Sequence, residues 1–192
     1  MKSLFKGVPH SGIGIIGHLP RIISKFGILG SIIVIFFGAQ SAFSQSLNNF
    51  KPGSEPEGLG SIVWGTDLKT FENMAYYRQD PSYGGIDVYR KKNNECEIFG
   101  VSVKNIDFLF WKGKFCGICF FEEDFSRFEQ FKDVVSKKFG FGKKALPNQE
   151  YHVWEGKKTL MSLEYKLREK SILFLMLSVS VLRQMEGKDK EQ

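Results

Sequence analysis

The alternation of apolar and polar positions predicts a β-hairpin at residues 105–123. Two runs rich in Phe, Ile and Trp lie on either side of the pair Lys112-Gly113. This pair favours a type I′ turn, whose two central residues have positive φ angles. A tight turn of this kind fixes the register of the two strands. The predicted partners are Trp111 with Lys114, Phe110 with Phe115, Leu109 with Cys116, Phe108 with Gly117 and Ile106 with Cys119.

Both faces of this hairpin are predicted to be apolar, because side chains alternate between the two sides of a strand. One face carries Ile106, Phe108, Phe110, Phe115, Cys119 and Phe121. The other carries Leu109, Trp111, Ile118 and Phe120, with Asp107 as its main polar exception. Such a hairpin fits the interior of a sheet that is covered on both sides. The alternative is that one face binds a partner or a ligand, since monomers seldom expose large apolar patches.

The other periodic segments predict an α+β fold, an antiparallel β-meander sheet covered by two helices. The first helix begins near Thr66 and ends before Asp80-Pro81. The second covers residues 125–139, with an apolar stripe, acidic residues before it and Gly140 after it. Further strands are predicted at residues 61–66, 86–90, 97–101, 159–167 and 171–178. A helix followed by strands occurs twice, which suggests a duplicated unit.

The N-terminal part of the chain predicts export. Basic residues precede an apolar run at residues 28–39, and Ala42 and Ser44 provide the small side chains of a cleavage site. The alternative is an uncleaved membrane anchor at residues 26–43, with the following domain outside the inner membrane. The predicted organisation is a signal peptide or anchor at 1–44, a flexible linker at 45–60, an α+β domain at 61–182 and a disordered tail at 183–192.

The positive charge of the chain is concentrated in this leader. The net charge is +6, but residues 1–44 contain four basic side chains and no acidic one. The remaining chain therefore has 23 basic and 21 acidic residues, and the two signs are interspersed. A nucleic-acid-binding domain needs a clustered basic face, so no nucleic-acid partner is predicted. Membrane contact is predicted only if the leader is retained.

Cys96, Cys116 and Cys119 enter an oxidising compartment if the chain is exported. Cys116 and Cys119 have CxxC spacing, but in a strand residues three apart point to opposite faces. A redox or metal role for this pair is therefore not predicted. Cys96 is a candidate disulfide partner of Cys116 or Cys119, and the alternative is that these residues are buried apolar thiols.

Candidate catalytic chemistry is sparse in this sequence. His152 has no Ser or Cys beside it, and a lone histidine in a strand is more often structural than a base or a metal ligand. The acidic residues at 122–124 are explained by helix capping and by the helix dipole. No phosphate-binding Gly-rich loop or HExxH motif is present. No catalytic residue, metal site or cofactor is predicted, and a non-catalytic role is favoured over an enzyme.

Several short motifs mark turns and core positions of the chain. They are Trp64-Gly-Thr-Asp-Leu, Asp80-Pro-Ser-Tyr-Gly-Gly-Ile, Phe110-Trp-Lys-Gly-Lys, Trp154-Glu-Gly-Lys-Lys-Thr and Leu163-Glu-Tyr. Together they resemble a widespread group of small exported bacterial proteins with no assigned role, over residues 61–180. A helix followed by a β-meander is more remotely similar to the small accessory lipoprotein of the outer-membrane β-barrel assembly machine. This chain departs from that pattern, because it lacks a cysteine for lipidation and has more strands.

Three hypotheses for function follow. The favoured one is a non-catalytic module of the cell envelope, periplasmic or secreted, that acts as an adaptor for an envelope protein or binds a small apolar ligand. Its candidate interface residues are Trp111, Phe120, Tyr151 and Trp154, since aromatic side chains often anchor interfaces; the alternative is that all four are core residues. The other hypotheses are a periplasmic enzyme of unidentified chemistry and a membrane-anchored structural factor.

Overall fold

The protein has a mixed α+β fold built on an eight-stranded antiparallel sheet, as the periodicity predicts. A computed structural model describes residues 48–81, 84–93, 95–146 and 149–187. The predicted leader at residues 1–44 lies outside these ranges. The elements below therefore belong to the predicted linker, domain and tail.

The described strands are short and are joined mostly by tight turns. In chain order they are β1 Gly58–Leu59, β2 Ile62–Val63, β3 Met74–Asp80, β4 Ile86–Lys91, β5 Glu95–Ile98, β6 Val101–Lys104, β7 Asp107–Trp111, β8 Lys114–Glu122, β9 Lys143–Lys144, β10 Glu150–Glu155, β11 Thr159–Lys166 and β12 Ser171–Ser178. The helices are α1 Phe125–Phe139 and α2 Val179–Met185. The strand order of the main sheet is β3-β4-β7-β8-β12-β11-β10-β9, and β1-β2 and β5-β6 form separate hairpins.

The β7-β8 hairpin has the predicted turn but only part of the predicted register. Lys112 and Gly113 have φ angles of 50° and 73°, as a type I′ turn requires. The first two pairs, Trp111 with Lys114 and Phe110 with Phe115, are confirmed. Beyond them the predicted register is wrong, because a β-bulge inserts one extra residue into β8. The pairs there are Leu109 with Gly117, Phe108 with Ile118 and Asp107 with Cys119.

The bulge changes the face on which half of β8 lies, since a shift of one residue turns every following side chain over. Ile118 and Phe120 therefore join Phe108 on one side of the sheet, and Cys119 lies on the other. Gly117 allows this arrangement because a Cβ atom there would lie 2.5 Å from Leu177 Cδ2. Register could not be fixed from the turn alone for this reason.

Each face of the sheet carries its own apolar cluster. The aromatic cluster contains Phe108, Phe110, Phe115, Phe120, Phe174, Trp154 and, from α1, Phe128, Phe131, Val135 and Phe139. The aliphatic cluster contains Leu109, Cys116, Cys119, Leu173, Leu175, Leu177 and, from α2, Val181 and Leu182. The β12 strand, all of whose residues are buried, contributes side chains to both clusters, as its uniformly apolar sequence predicts.

Helix α1 begins and ends where its sequence predicts. The Asp124 carboxylate caps its start by accepting a hydrogen bond from Ser126 N at 2.8 Å. Gly140, with a φ angle of 86°, ends it. The region predicted as a disordered tail also begins with helical structure, because Arg183–Met185 continue α2 from its buried residues Val181 and Leu182.

The predicted first helix is wrong. Residues 68–70 form one 3₁₀ turn, and β3 replaces the rest of the expected helix. Leu68 and Phe71 do pack against the aromatic cluster, and their spacing of three suits a 3₁₀ turn as well as an α-helix. Asn73, with a φ angle of 58°, then directs the chain into β3, which pairs with β4. The pairing with a distant strand decides the structure here, and local periodicity does not reveal it.

Candidate functional site

The segment before the predicted domain is bound to the sheet, although its composition predicts a flexible linker. Asn49 behaves like an additional strand residue beside β10. Its backbone N donates to Glu155 O at 3.1 Å, its Nδ2 donates to Val153 O at 3.0 Å, and its Oδ1 accepts from Glu155 N at 2.6 Å. Phe50 is buried, and its ring contacts that of Phe139 edge to face at 6.0 Å. From residue 48 onward the segment is therefore part of the fold.

A second set of hydrogen bonds attaches this segment to the β10-β11 turn. Glu55 Oε1 accepts from the backbone N atoms of Lys158 at 2.5 Å and Thr159 at 3.0 Å. Thr159 Oγ1 donates to Pro56 O at 2.5 Å and accepts from Trp64 Nε1 at 2.8 Å. The Glu57 carboxylate forms an ion pair with Lys158. These contacts hold residues 55–64 as a wall that stands beside the aromatic face of the sheet.

A cleft of about 660 Å³ lies between this wall and the β5-β6 hairpin. Ligand-binding pockets usually measure about 300 to 1,000 Å³, so the cleft is large enough for a small molecule. Residues 56–63 form one side, and Cys96, Phe99 and Gly100 form the other. Phe108 and Phe139, which are both buried in the aromatic cluster, form part of its lining. The lining is mixed: apolar groups provide somewhat more of it than polar ones, and the charged residues Glu57, Lys91, Glu97 and Lys138 belong to it.

The charged residues of the cleft differ in their surroundings. Lys138 Nζ lies 5.5 Å from the centre of the Phe99 ring and 5.8 Å from that of Phe139, within the range of cation–π interactions. Lys91 lies close enough to Cys96 to favour its thiolate, yet burial is the larger effect and raises the pKa of this thiol. Glu57 is neutralised by Lys158. The cleft thus combines aromatic groups with two ammonium groups and two carboxylates, those of Glu57 and Glu97.

The three cysteines are free thiols, and Cys96 lies apart from the other two. Cys96 packs against the aromatic cluster, whereas Cys116 and Cys119 belong to the aliphatic cluster on the opposite face of the sheet. The structure does not bring the predicted disulfide partners together. Burial raises the pKa values of Cys116 and Cys119 to about 12, which suits inert core thiols. Cys96 is the half-buried one, and it lines the cleft.

The four candidate interface residues are mostly internal. Phe120 and Trp154 belong to the aromatic cluster, and Trp154 Nε1 donates to Gly140 O at 2.8 Å. Tyr151 is buried on the other face, where its hydroxyl is hydrogen-bonded to Ser162 and burial raises its pKa. Trp111 is half-buried, and Lys112 Nζ lies 4.2 Å from the centre of its ring. Of the four, Trp111 alone presents a substantial part of its side chain to solvent.

The candidate ionisable residues of the sequence make local polar contacts. His152 Nε2 lies 3.1 Å from Glu150 Oε2, and this contact, together with Lys144, lowers the pKa of Glu150 to about 2. Glu122 forms an ion pair with Arg127, with the two side-chain atoms 3.0 Å apart. Within the described ranges, no group of three His, Cys, Asp or Glu residues has the arrangement of a metal site. The cleft, by contrast, is a concave feature with room for a small molecule.

Sequence reasoning missed this cleft because its walls come from distant parts of the chain. Residues 54–63 are rich in Pro, Gly and Ser, which is typical of a linker, and the β5-β6 hairpin is short. A signal was nevertheless present in the segment, which contains the apolar Phe50 and two side chains, Asn49 and Glu55, that can bond to backbone groups. In the structure both side chains form such hydrogen bonds with distant residues. Such residues can fix a segment that has no periodic pattern.

Comparisons with protein-family models, with curated proteins and with solved structures return no match to this chain. Among the residues that the structure describes, no helix is long and apolar enough to cross a membrane.

Proposed function

We propose that this chain is an exported envelope protein, periplasmic or secreted, whose domain is a non-catalytic module that binds a small apolar ligand in the cleft. The single observation that carries this proposal is the 660 Å³ cleft lined by Phe99, Phe108 and Phe139. Ligand sites are typically concave, mainly apolar and equipped with a few polar groups. The cleft is concave, and its lining combines apolar side chains with a set of polar and charged ones.

Export is supported by the leader, in which basic residues, an apolar run and a small-residue cleavage site follow one another. The resemblance of the turn motifs to small exported bacterial proteins agrees with this. If the leader is retained, the domain is anchored at the outer side of the inner membrane. The intact mass of the purified protein distinguishes cleavage after Ser44 from retention.

Cys96 supplies a direct test of ligand binding, because it lines the cleft and the other two thiols are buried. Iodoacetamide, a small uncharged reagent, should modify Cys96 in the native protein, and Cys116 and Cys119 only after unfolding. A long-chain alcohol such as decanol should slow the modification of Cys96 in a saturable way. Peptide mass spectrometry identifies the modified residue, and an unchanged rate at saturating decanol contradicts the proposal.

The second candidate function is that of an adaptor for an envelope protein, and Trp111 is the observation that favours it. This half-buried ring lies at the edge of the aliphatic cluster, with Lys112 Nζ 4.2 Å from its centre. Tryptophan is among the residues enriched at interface anchors. Crosslinking in solubilised envelopes should then recover a stoichiometric partner with the native chain and not with Trp111→Ala.

The duplicated unit and the covering of the sheet by two helices were predicted with a first helix near Thr66. Because a 3₁₀ turn and β3 stand in its place, neither prediction is confirmed.

A further inference from the structure

We infer that the ligand of the cleft is an amphiphile with one negatively charged head group, such as a long-chain carboxylate. This inference rests on the proposed function, because it specifies the ligand of the same cleft. The preference for a negative head group follows from the charged residues that line the cleft, Lys91, Lys138, Glu57 and Glu97.

The apolar part of such a ligand has an extended lining to contact. Phe99 lies on the hairpin wall, Phe108 on β7 and Phe139 at the end of α1, so that aromatic groups approach the cleft from three elements. Leu59 and Ile62 add aliphatic groups on the opposite wall. An alkyl chain between these walls would be removed from water as it contacts both of them. The hydrophobic effect of this burial is the main favourable contribution to the binding of apolar molecules.

The two lysines of the cleft have no carboxylate partner among the described residues. Lys91 and Lys138 form no ion pair there, and the contacts of Lys138 are to the faces of Phe99 and Phe139. Lys138 also lies in the last turn of α1, where the carbonyl end of a helix favours positive charge. Both ammonium groups are therefore available to an incoming anion.

The two acidic residues of the cleft do not cancel this charge. Glu57 is already paired with Lys158. Glu97 lies on β5 between Cys96 and Ile98, whose side chains point toward the aromatic cluster. Because neighbouring side chains in a strand point to opposite faces, the exposed Glu97 carboxylate is directed away from that cluster. Glu97 still lines the cleft, so with Glu57 paired to Lys158 the two lysines face one carboxylate. The remaining positive charge favours an anionic head group over a neutral or cationic one.

Three amphiphiles with the same alkyl chain test this inference: decanoate, decanol and decyltrimethylammonium. Each is titrated against the rate at which iodoacetamide modifies Cys96. The two ionic compounds are kept below their micelle concentrations, and decanol is kept below its solubility limit. Decanoate should reach half-protection at a concentration about fivefold to tenfold lower than decanol, as one partly exposed charge contact provides about 1 kcal/mol. The cationic compound should protect least. This preference should weaken as the ionic strength rises.

Single lysine variants assign the preference to the cleft. Lys138→Gln and Lys91→Gln should each weaken protection by decanoate severalfold and leave protection by decanol unchanged. Lys137→Gln and Lys92→Gln are matched controls, because each removes an exposed neighbouring lysine that does not line the cleft. Rates without ligand are measured for every variant, since Lys91 also affects the pKa of Cys96.

The outcomes separate this inference from the proposed function. The inferred anionic head group is wrong if decanol and decanoate protect Cys96 equally. It is also wrong if the control variants lose as much decanoate protection as the cleft variants. In both cases the cleft still binds apolar molecules. If none of the three amphiphiles protects Cys96, the proposed function itself is wrong. Selective loss of decanoate protection in the Lys91 and Lys138 variants supports both.

Discussion

Asp107 is a buried carboxylate whose replacement should destabilise the sheet strongly. It lies on β7, within the hairpin that is otherwise apolar, and is 7% exposed. Its Oδ2 is 3.0 Å from Arg78 Nη2, and its Oδ1 is 2.6 Å from Arg90 Nε. The Arg90 guanidinium also lies 3.7 Å from the centre of the Tyr77 ring. Through these contacts, one carboxylate on β7 connects side chains of β3 and β4.

The expected loss can be derived from the burial of the three charges. Removing one partner of a fully buried ion pair costs about 3 to 5 kcal/mol, because the remaining charge is left without compensation. Here the side chains of Arg78 and Arg90 are 33% and 27% exposed, so water partly solvates them after the loss. For Asp107→Asn, which keeps the shape and removes the charge, we therefore expect a decrease of about 2 to 3 kcal/mol in the free energy of unfolding.

Urea denaturation of the purified protein, followed by tryptophan fluorescence, measures this decrease. The matched control is Asp67→Asn, which removes the charge that pairs with Lys114 at 2.9 Å. Both of those side chains are at least half exposed, so that the control should lose less than about 1 kcal/mol. The m-value should be unchanged in both variants, which confirms that the same surface unfolds.

A double-mutant cycle locates the effect in the contact with Arg90. Arg90→Gln should be less destabilising in the Asp107→Asn background than in the native protein, with a coupling energy of at least about 1 kcal/mol. The assigned role of the Asp107 ion pairs is contradicted if Asp107→Asn lowers the free energy of unfolding no more than Asp67→Asn does. It is also contradicted if the effects of Asp107→Asn and Arg90→Gln are additive. Either result would mean that the charges of Asp107 and Arg90 are compensated by other groups, and not by one another.

Three further changes test other parts of the structure. Gly117→Ala should lower the free energy of unfolding by about 2 kcal/mol in urea denaturation, because its Cβ would lie 2.7 Å from the Met176 carbonyl oxygen as well as touching Leu177. Glu55→Ala leaves two backbone N–H groups of the β10-β11 turn without their acceptor. We expect the free energy of unfolding to fall by about 1 to 2 kcal/mol and iodoacetamide to modify Cys96 faster. An unchanged labelling rate would show that the wall does not depend on this contact. The contribution of Glu150 to stability should be complete above its unfolded pKa of 4.5 and be lost as the pH falls toward its folded value of about 2. Because its side chain is 36% exposed, Glu150→Gln should cost less than about 1 kcal/mol at neutral pH and nothing at the acidic limit, as measured by urea denaturation at both pH values.

Local signals in the sequence were sufficient for several elements. The Lys112-Gly113 turn requires two positive φ angles, and few residue pairs other than X-Gly adopt them easily. Helix α1 has an N-cap, an apolar stripe and a C-terminal glycine within one continuous segment. The uniformly apolar run of β12 can be satisfied only between two covered faces of a sheet. In each case the determining interactions lie within a few residues of one another.

The features that position the cleft depend on contacts between distant residues. The bulge in β8 is accommodated by Gly117, whose missing side chain leaves room for Leu177 on the neighbouring strand. The wall of the cleft is held by Glu55 and Thr159, which are 104 positions apart in the chain. Composition makes such a segment resemble a linker, because backbone hydrogen bonds to a distant turn leave no periodic pattern. Local interactions were therefore enough to predict the Lys112-Gly113 turn, helix α1 and the central strands, whereas contacts between distant residues set the register of β8 and form the cleft.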